Sequence, residues 1–171
     1  MGADAERQFC KKEYRLSELN AKSGYDYTRI KNADNIFLKC DIAVENEKVM
    51  IAYDIEGKKE YEKIFKESRI RRLKALLDVG NFRHYWEQFV FSIQPENLYY
   101  DMYDKVFVMF RDVRDTDYVY EKPSCLEEYK ALIGCTLSGK YSFDDYFQGG
   151  MKLLKKDKFC LLYTSDAADE L

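Results

Sequence analysis

Asn97 and the two carboxylates that follow it, Asp101 and Asp112, are the residues whose types and spacing come nearest to chemistry. In phosphoryl transfer, an asparagine oxygen and a downstream aspartate hold magnesium on the phosphates. An aspartate five residues before the asparagine accepts the hydroxyl proton, giving the pattern H-R-D-L-x-x-x-N. The frame is present in Phe89–Asp112, where Gln94-Pro95-Glu96-Asn97 forms the loop, but the reactive groups are missing. Ser92 stands at the base position, where a hydroxyl takes up no proton near neutral pH. Val90 and Phe91 replace His-Arg, and Gln94 replaces the usual positive charge. Asn97 offers one neutral oxygen, whereas magnesium also wants carboxylates and phosphates. The metal-binding D-F-G step falls in register on Phe110-Arg111-Asp112. Asp112 could therefore serve only after a slip of two residues, and it reads as the start of a surface loop.

Other parts of a phosphotransfer site are equally thin. The only glycines upstream of the first hairpin are Gly2 and Gly24, so no glycine-rich phosphate loop exists. Ile36-Phe37-Leu38-Lys39 echoes V-A-I-K, yet Lys39 falls on the alternate, solvated face of its strand. His84, the single histidine, has no Ser, Cys or Asp arrangement suited to a triad and reads as a helix-end or packing residue. Asp144-Asp145 opens a helix, where the dipole favours acids, and Asp115 and Asp117 read as loop charges. The five cysteines (Cys10, Cys40, Cys125, Cys135, Cys160) form no C-x-x-C pair, and with one histidine no zinc set can be assembled. The expectation is an absence of catalytic residues, cofactor and metal.

Stepping outward, Phe89–Asp112 reads as strand, tight loop, strand, turn, strand. Residues 1–24 form a ragged start holding a first strand or a short helix, and alternation over Tyr25–Ile30 suggests a strand. Ile36–Val44 and Val49–Ile55 each carry the two-residue period of a half-buried strand. Glu45-Asn46-Glu47-Lys48 turns them into an antiparallel hairpin. From Tyr61 to Val79, Ile64, Ile70, Leu73, Leu76 and Leu77 recur at helical steps, Glu67 and Arg71 stand four apart, and Gly80 supplies a stop. Asp112–Lys122 is a charged loop ending at Pro123. Ser124 with Glu127 then forms a capping box for a helix with the stripe Leu126, Tyr129, Leu132, Ile133 and Leu137, closed by Gly139. Ser142 with Asp145 opens another helix carrying Phe143, Tyr146, Phe147, Met151 and Leu154, loosened at Gly149-Gly150.

A chain of 171 residues is one domain, or two small lobes on a shared core. Acids and bases are interspersed at net charge −3, and the densest basic group is Arg69, Arg71, Arg72 and Lys74 on one short helix, which argues against nucleic-acid binding. Isolated cysteines suit a reducing cytoplasm, and neither a signal peptide nor an apolar run of about 18 residues is present. The 15 tyrosines supply contact surface or half-exposed strand positions; Tyr99, Tyr100 and Tyr103 are the candidates on the central hairpin. Leu161–Glu170 reads as a translated transposase sequencing adapter. Residues 161–171 are therefore expected to be non-native, the natural chain continuing beyond about Cys160; a genuine acidic tail is the other reading.

Three runs in order carry a resemblance: Pro95-Glu96-Asn97-Leu98-Tyr99-Tyr100-Asp101, Leu126-Glu127-Glu128-Tyr129-Lys130-Ala131-Leu132, and Tyr141-Ser142-Phe143-Asp144-Asp145-Tyr146-Phe147. With the hairpin at Asn35–Ile55, they resemble the EssB/YukC family of Firmicute type VII secretion systems over about Tyr14 to Cys160. The resemblance implies an α+β, two-lobed protein-kinase-like (pseudokinase) fold: a sheet-rich lobe at about 12–60, then a mainly helical lobe at about 61–160. It implies a non-catalytic scaffold on the cytoplasmic side of the cell membrane, attached through a downstream span and contacting the FtsK/SpoIIIE-type ATPase of the machine. Self-association of the full-length protein stays open. Two alternatives stand beside it. An atypical kinase or nucleotide-binding sensor needs Asp101 or Asp112 to meet Asn97 around a metal; a soluble interaction domain unrelated to secretion needs no site at all.

Overall fold

The computed structural model describes residues 8–114 and 122–149. Asp115, Asp117, Met151, Leu154, Cys160 and the 161–171 tail lie outside them. The architecture is mixed α+β, with three small antiparallel sheets followed by a helical pair.

The first sheet has the order β1-β3-β2, from β1 (Phe9–Arg15), β2 (Cys40–Glu45) and β3 (Lys48–Asp54). Its hairpin register sets Cys40 opposite Tyr53, Ile42 opposite Ile51 and Val44 opposite Val49. The alternation of Val49, Ile51 and Tyr53 thus becomes the buried face. The turn works because Asn46 (φ 52°) and Glu47 (φ 64°) both take the left-handed conformation that a two-residue type I′ connection requires. The strand expected from Ile36 begins only at Cys40. Ile36, Phe37 and Leu38 are all buried, since this segment crosses the core and bonds in parallel to Val108.

The strand expected at Tyr25–Ile30 is instead helix α1 (Gly24–Asn32). Ser23 Oγ accepts from Asp26 N–H and the Asp26 carboxylate accepts from Ser23 N–H, a reciprocal cap that outweighs the strand preference of tyrosine and threonine. The long helix expected from Tyr61 splits into a 3₁₀ segment at Tyr61–Lys66 and α2 (Arg69–Val79), restarted by Ser68 as N-cap. Its inner face is Ala75, Leu76 and Val79, whereas Ile70 and Leu77 point to solvent. The Glu67–Arg71 pair forms at 2.6 Å, and Arg71 also reaches Asp104 at 2.8 Å.

The second sheet joins β4 (Lys59–Glu60), β6 (Leu98–Tyr100) and β7 (Val106–Val108). The third pairs β5 (Phe89–Val90) with β8 (Asp112–Val113). Helix α3 (Lys122–Leu137) starts two residues before Ser124, and α4 (Phe143–Gly149) opens with the expected Ser142–Asp145 box. The two helices meet closely enough that a Cβ on Gly134 would sit 2.7 Å from the Tyr146 ring. The larger core gathers Tyr61, Ile64, Phe82, Leu98, Tyr100, Leu132 and Tyr146; the smaller lies under the first sheet around Leu38, Ile51, Tyr53 and Met109. No helix among the described residues is long and apolar enough to cross a membrane.

Candidate functional site

Phe91 and Ile93 alternate into the core, which leaves Ser92 and Gln94 on the other side of the chain as it enters the 3₁₀ turn Pro95–Asn97. Pro95 takes the first position of that turn, where its missing N–H costs nothing. Ser92 Oγ donates to Glu128 Oε1 of α3 (3.2 Å) and accepts from Gln94 N–H (3.1 Å). Ile93 N–H donates to the other Glu128 oxygen at 2.9 Å. Burial pushes the Glu128 carboxyl up from the ordinary glutamate range, against the pull of these two hydrogen bonds. The serine at the base position is thus an anchor between loop and helix. Glu128 was missed in the sequence, although it stands three and four residues before Ala131 and Leu132, on the buried side of α3.

Asn97 is the centre of the loop. Its amide nitrogen donates to Ser92 C=O (2.8 Å) and Phe110 C=O (3.1 Å), while its oxygen accepts from Phe110 N–H (2.7 Å). Its own carbonyl accepts from Met109 N–H at 2.9 Å. The side chain is buried and bonded to backbone at every polar atom. It closes the loop onto the chain thirteen residues later, in the role an extra strand would play.

Arg111 and Asp112 follow directly, and neither begins a surface loop. Arg111 is only 1% exposed. Its guanidinium donates to Leu38 C=O (2.7 Å), Met109 C=O (3.1 Å) and Ile30 C=O at the end of α1 (2.9 Å). It lies over the Phe37 and Tyr53 rings, 5.3 and 5.9 Å from their centroids. Carbonyl dipoles, a helix C-terminus and two π-faces stabilise the cation in place of a carboxylate. Burial holds its pKa below the usual arginine value. Asp112, in β8, accepts from Asn20 N–H (2.6 Å), Ala21 N–H (3.1 Å) and its neighbour Val113 N–H (2.7 Å). The carboxylate ties the segment after β1 to the central strands.

These placements separate the candidate groups. Asp101 Oδ1 is spent on Tyr103 and Lys105 N–H in the β6–β7 turn, and Asp112 faces residues 20–21, so neither shares a partner with Asn97. Phe110 packs on Tyr14, ring centroids 5.0 Å apart. Lys39 is exposed, as is His84, which sits in the 3₁₀ segment Gly80–Tyr85. Among the described residues no three His, Cys, Asp or Glu side chains are grouped to hold a metal. Of the three hairpin tyrosines, Tyr99 and Tyr100 are core residues and Tyr103 is exposed.

Residues 14–170 match the sequence profile described as "WXG100 protein secretion system (Wss), protein YukC". The chain belongs to the YukC family. Among solved structures it is similar to the Staphylococcus aureus EssB cytoplasmic fragment, with TM-score 0.73 and 19% identity over 88% of each chain. It is also similar to the Geobacillus thermodenitrificans EssB cytoplasmic fragment, with TM-score 0.72 and 19% identity over 94% of this chain and 84% of that one. At that identity the likeness is one of fold. A search of curated proteins returns no match. The family's place in a secretion system gives the anchored loop its context: a component of an export machine whose polar centre is bonded to its own backbone.

Proposed function

We propose that this YukC-family chain is a non-catalytic scaffold domain with a two-lobed, kinase-like outline: sheet-rich at about 12–60 and helical at about 61–160. The observation that carries the reading is the Asn97 amide, bonded to Ser92 and Phe110 backbone while the nearby carboxylates serve other segments. A phosphotransferase needs these groups free to meet magnesium and phosphate. Here Ser92 is bonded to Glu128 and Gln94 N–H, Asn97 to the Ser92 and Phe110 backbone, and Arg111 and Asp112 to the backbone of earlier segments. Family membership and the cytoplasmic-fragment titles of the similar structures support a position on the cytoplasmic side of the membrane. The same context supports attachment through a downstream span and contact with the FtsK/SpoIIIE-type ATPase. Thermal melts with ATP and magnesium test the first half, with no saturable rise expected; a rise of several degrees would overturn it. Co-purification with the ATPase of the same secretion system tests the second, and failure to associate at micromolar concentration would remove it.

A further inference from the structure

The first sheet buries one face, through Val49, Ile51 and Tyr53, and leaves the other open to solvent. Every outward side chain of β1 and β2 is exposed, as are Lys48 and Met50 of β3. The register fixes which outward residues stand level across the three strands. Ala52 has Lys11 on one side and Asp41 on the other; Met50 has Glu13 and Ala43; Lys48 has Arg15 and Glu45. One step along, Asp54 stands beside Phe9 and donates its N–H to Lys39 C=O on the β2 side.

The outer face is therefore neutral as a whole but divided across its width. Its middle is apolar, from Met50, Ala52 and Ala43, while β1 carries the bases Lys11 and Arg15 and β2 the acids Asp41 and Glu45. A two-fold axis along β3 turns this pattern onto itself. It lays β1 of one copy over β2 of the other at unchanged height. Lys11 then meets Asp41, Arg15 meets Glu45, the Phe9 ring meets the Lys39 ammonium, and Met50 meets its own mate. Two like-charged residues lie on the axis, and each has a partner in its own chain: Lys48 with Glu13 at 3.6 Å, and Asp54 with Glu56 N–H at 3.0 Å. The edge charges also have partners, Arg15 with Glu18 at 3.9 Å and Asp41 with Lys31 at 3.5 Å. Those side chains are all more than half exposed, so the pairs are weak in water and yield to a drier one. Any other partner would have to reproduce this alternation of sign and height; a second copy carries it already.

We propose that the outer face of the β1-β3-β2 sheet pairs with the same face of a second copy of this chain, about a two-fold axis along β3. From strand spacings the face spans about 20 by 14 Å. That is less than the roughly 800 Å² per partner of a standard complex, so the association is of the weak, reversible class. The proposal goes beyond the scaffold reading and does not depend on it. The test is sedimentation equilibrium of the 171-residue chain. Its mass is expected to climb toward that of two chains as concentration approaches about 1 mM, and added salt to oppose the climb. Lys11→Glu with Arg15→Glu makes both edges acidic, and Asp41→Lys with Glu45→Lys makes both basic. Each variant alone loses about tenfold or more in self-association. An equimolar mixture of the two restores an acid opposite every base and associates about as tightly as the parent. Recovery on mixing also separates docking from misfolding, since an unfolded variant would not regain a partner. A parent that stays monomeric at about 1 mM overturns the proposal. So does a dimer indifferent to both reversals, or a mixture no tighter than its components.

Discussion

Replacing Asn97 separates a backbone clamp from a degenerate metal ligand, because the two roles respond oppositely to a carboxylate. Asn97→Ala removes two donations and one acceptance, leaving Phe110 N–H and the Ser92 and Phe110 carbonyls without partners in a buried place. At about 1 kcal/mol per hydrogen bond the loss is about 3 kcal/mol. At about 2–4 °C per kcal/mol for a chain of this size, melting falls by about 6–12 °C. Asn97→Asp keeps the acceptor for Phe110 N–H but turns negative charge on two carbonyls, so its deficit equals or exceeds that of alanine at neutral pH. The deficit shrinks on acidification, when a protonated carboxyl can again donate one bond. A metal-site asparagine would behave otherwise, since a carboxylate there strengthens magnesium binding. Thermal melts of both variants with and without magnesium decide it. An Asn97→Asp protein melting within about 2 °C of the parent, or rescued several degrees by magnesium, would refute the clamp.

Three further outcomes follow from the packing. Gly134→Ala forces a methyl into the Tyr146 ring and costs about 1–3 kcal/mol, read as a lower denaturant midpoint with an unchanged slope. Arg111→Met removes three donations, leaving the Leu38 and Met109 carbonyls unpaired while Ile30 C=O keeps Ala33 N–H, and destabilises by about 3 kcal/mol; Arg111→Lys recovers only part, since an ammonium cannot span the same acceptors, and full stability of the methionine variant in urea would contradict this. The folded-state pKa of Glu128 lies above its unfolded value, so the folded protein binds the extra proton. Its contribution is therefore fully present below the unfolded glutamate pKa and is lost as pH rises through the raised one. Glu128→Gln, which can still accept from Ile93 N–H, flattens that slope; an unchanged pH–stability curve would exclude Glu128 as its source.

The parts of this fold legible in the sequence were those governed by local rules. Val49, Ile51 and Tyr53 alternate onto a face that is buried whatever lies beneath it, and Ser142 with Asp145 caps a helix using only its own residues. Misreadings arose where two local signals competed. Tyr25–Ile30 looked extended by residue type, but the Ser23–Asp26 cap set the helix first. In α2 the apolar residues occupy more than one face, and periodicity could not show that small Ala75 faces inward while Leu77 does not. At the candidate site, the loop frame around Asn97 was visible and the loss of its acids was plain. The burial of Arg111 and Asp112 was not, because their acceptors and donors come from Ile30, Leu38, Asn20 and Ala21, more than seventy residues earlier.

The Asp112 bond to Asn20 also dictates an order of events during synthesis. The two residues are 92 positions apart, so the segment after β1 leaves the ribosome with its amides bare. At about 5–20 residues per second it waits roughly 5–18 s for the carboxylate that will receive them. The first sheet can form whole in that interval, since β1 pairs with β3, but the segment at Asn20 and Ala21 is fastened only when β8 emerges. A chain interrupted before that point keeps its sheet but leaves the Asn20 and Ala21 amides without their acceptor and the apolar cluster of Ala21 and Ile30 without Val113, so truncated products carry an unfinished surface.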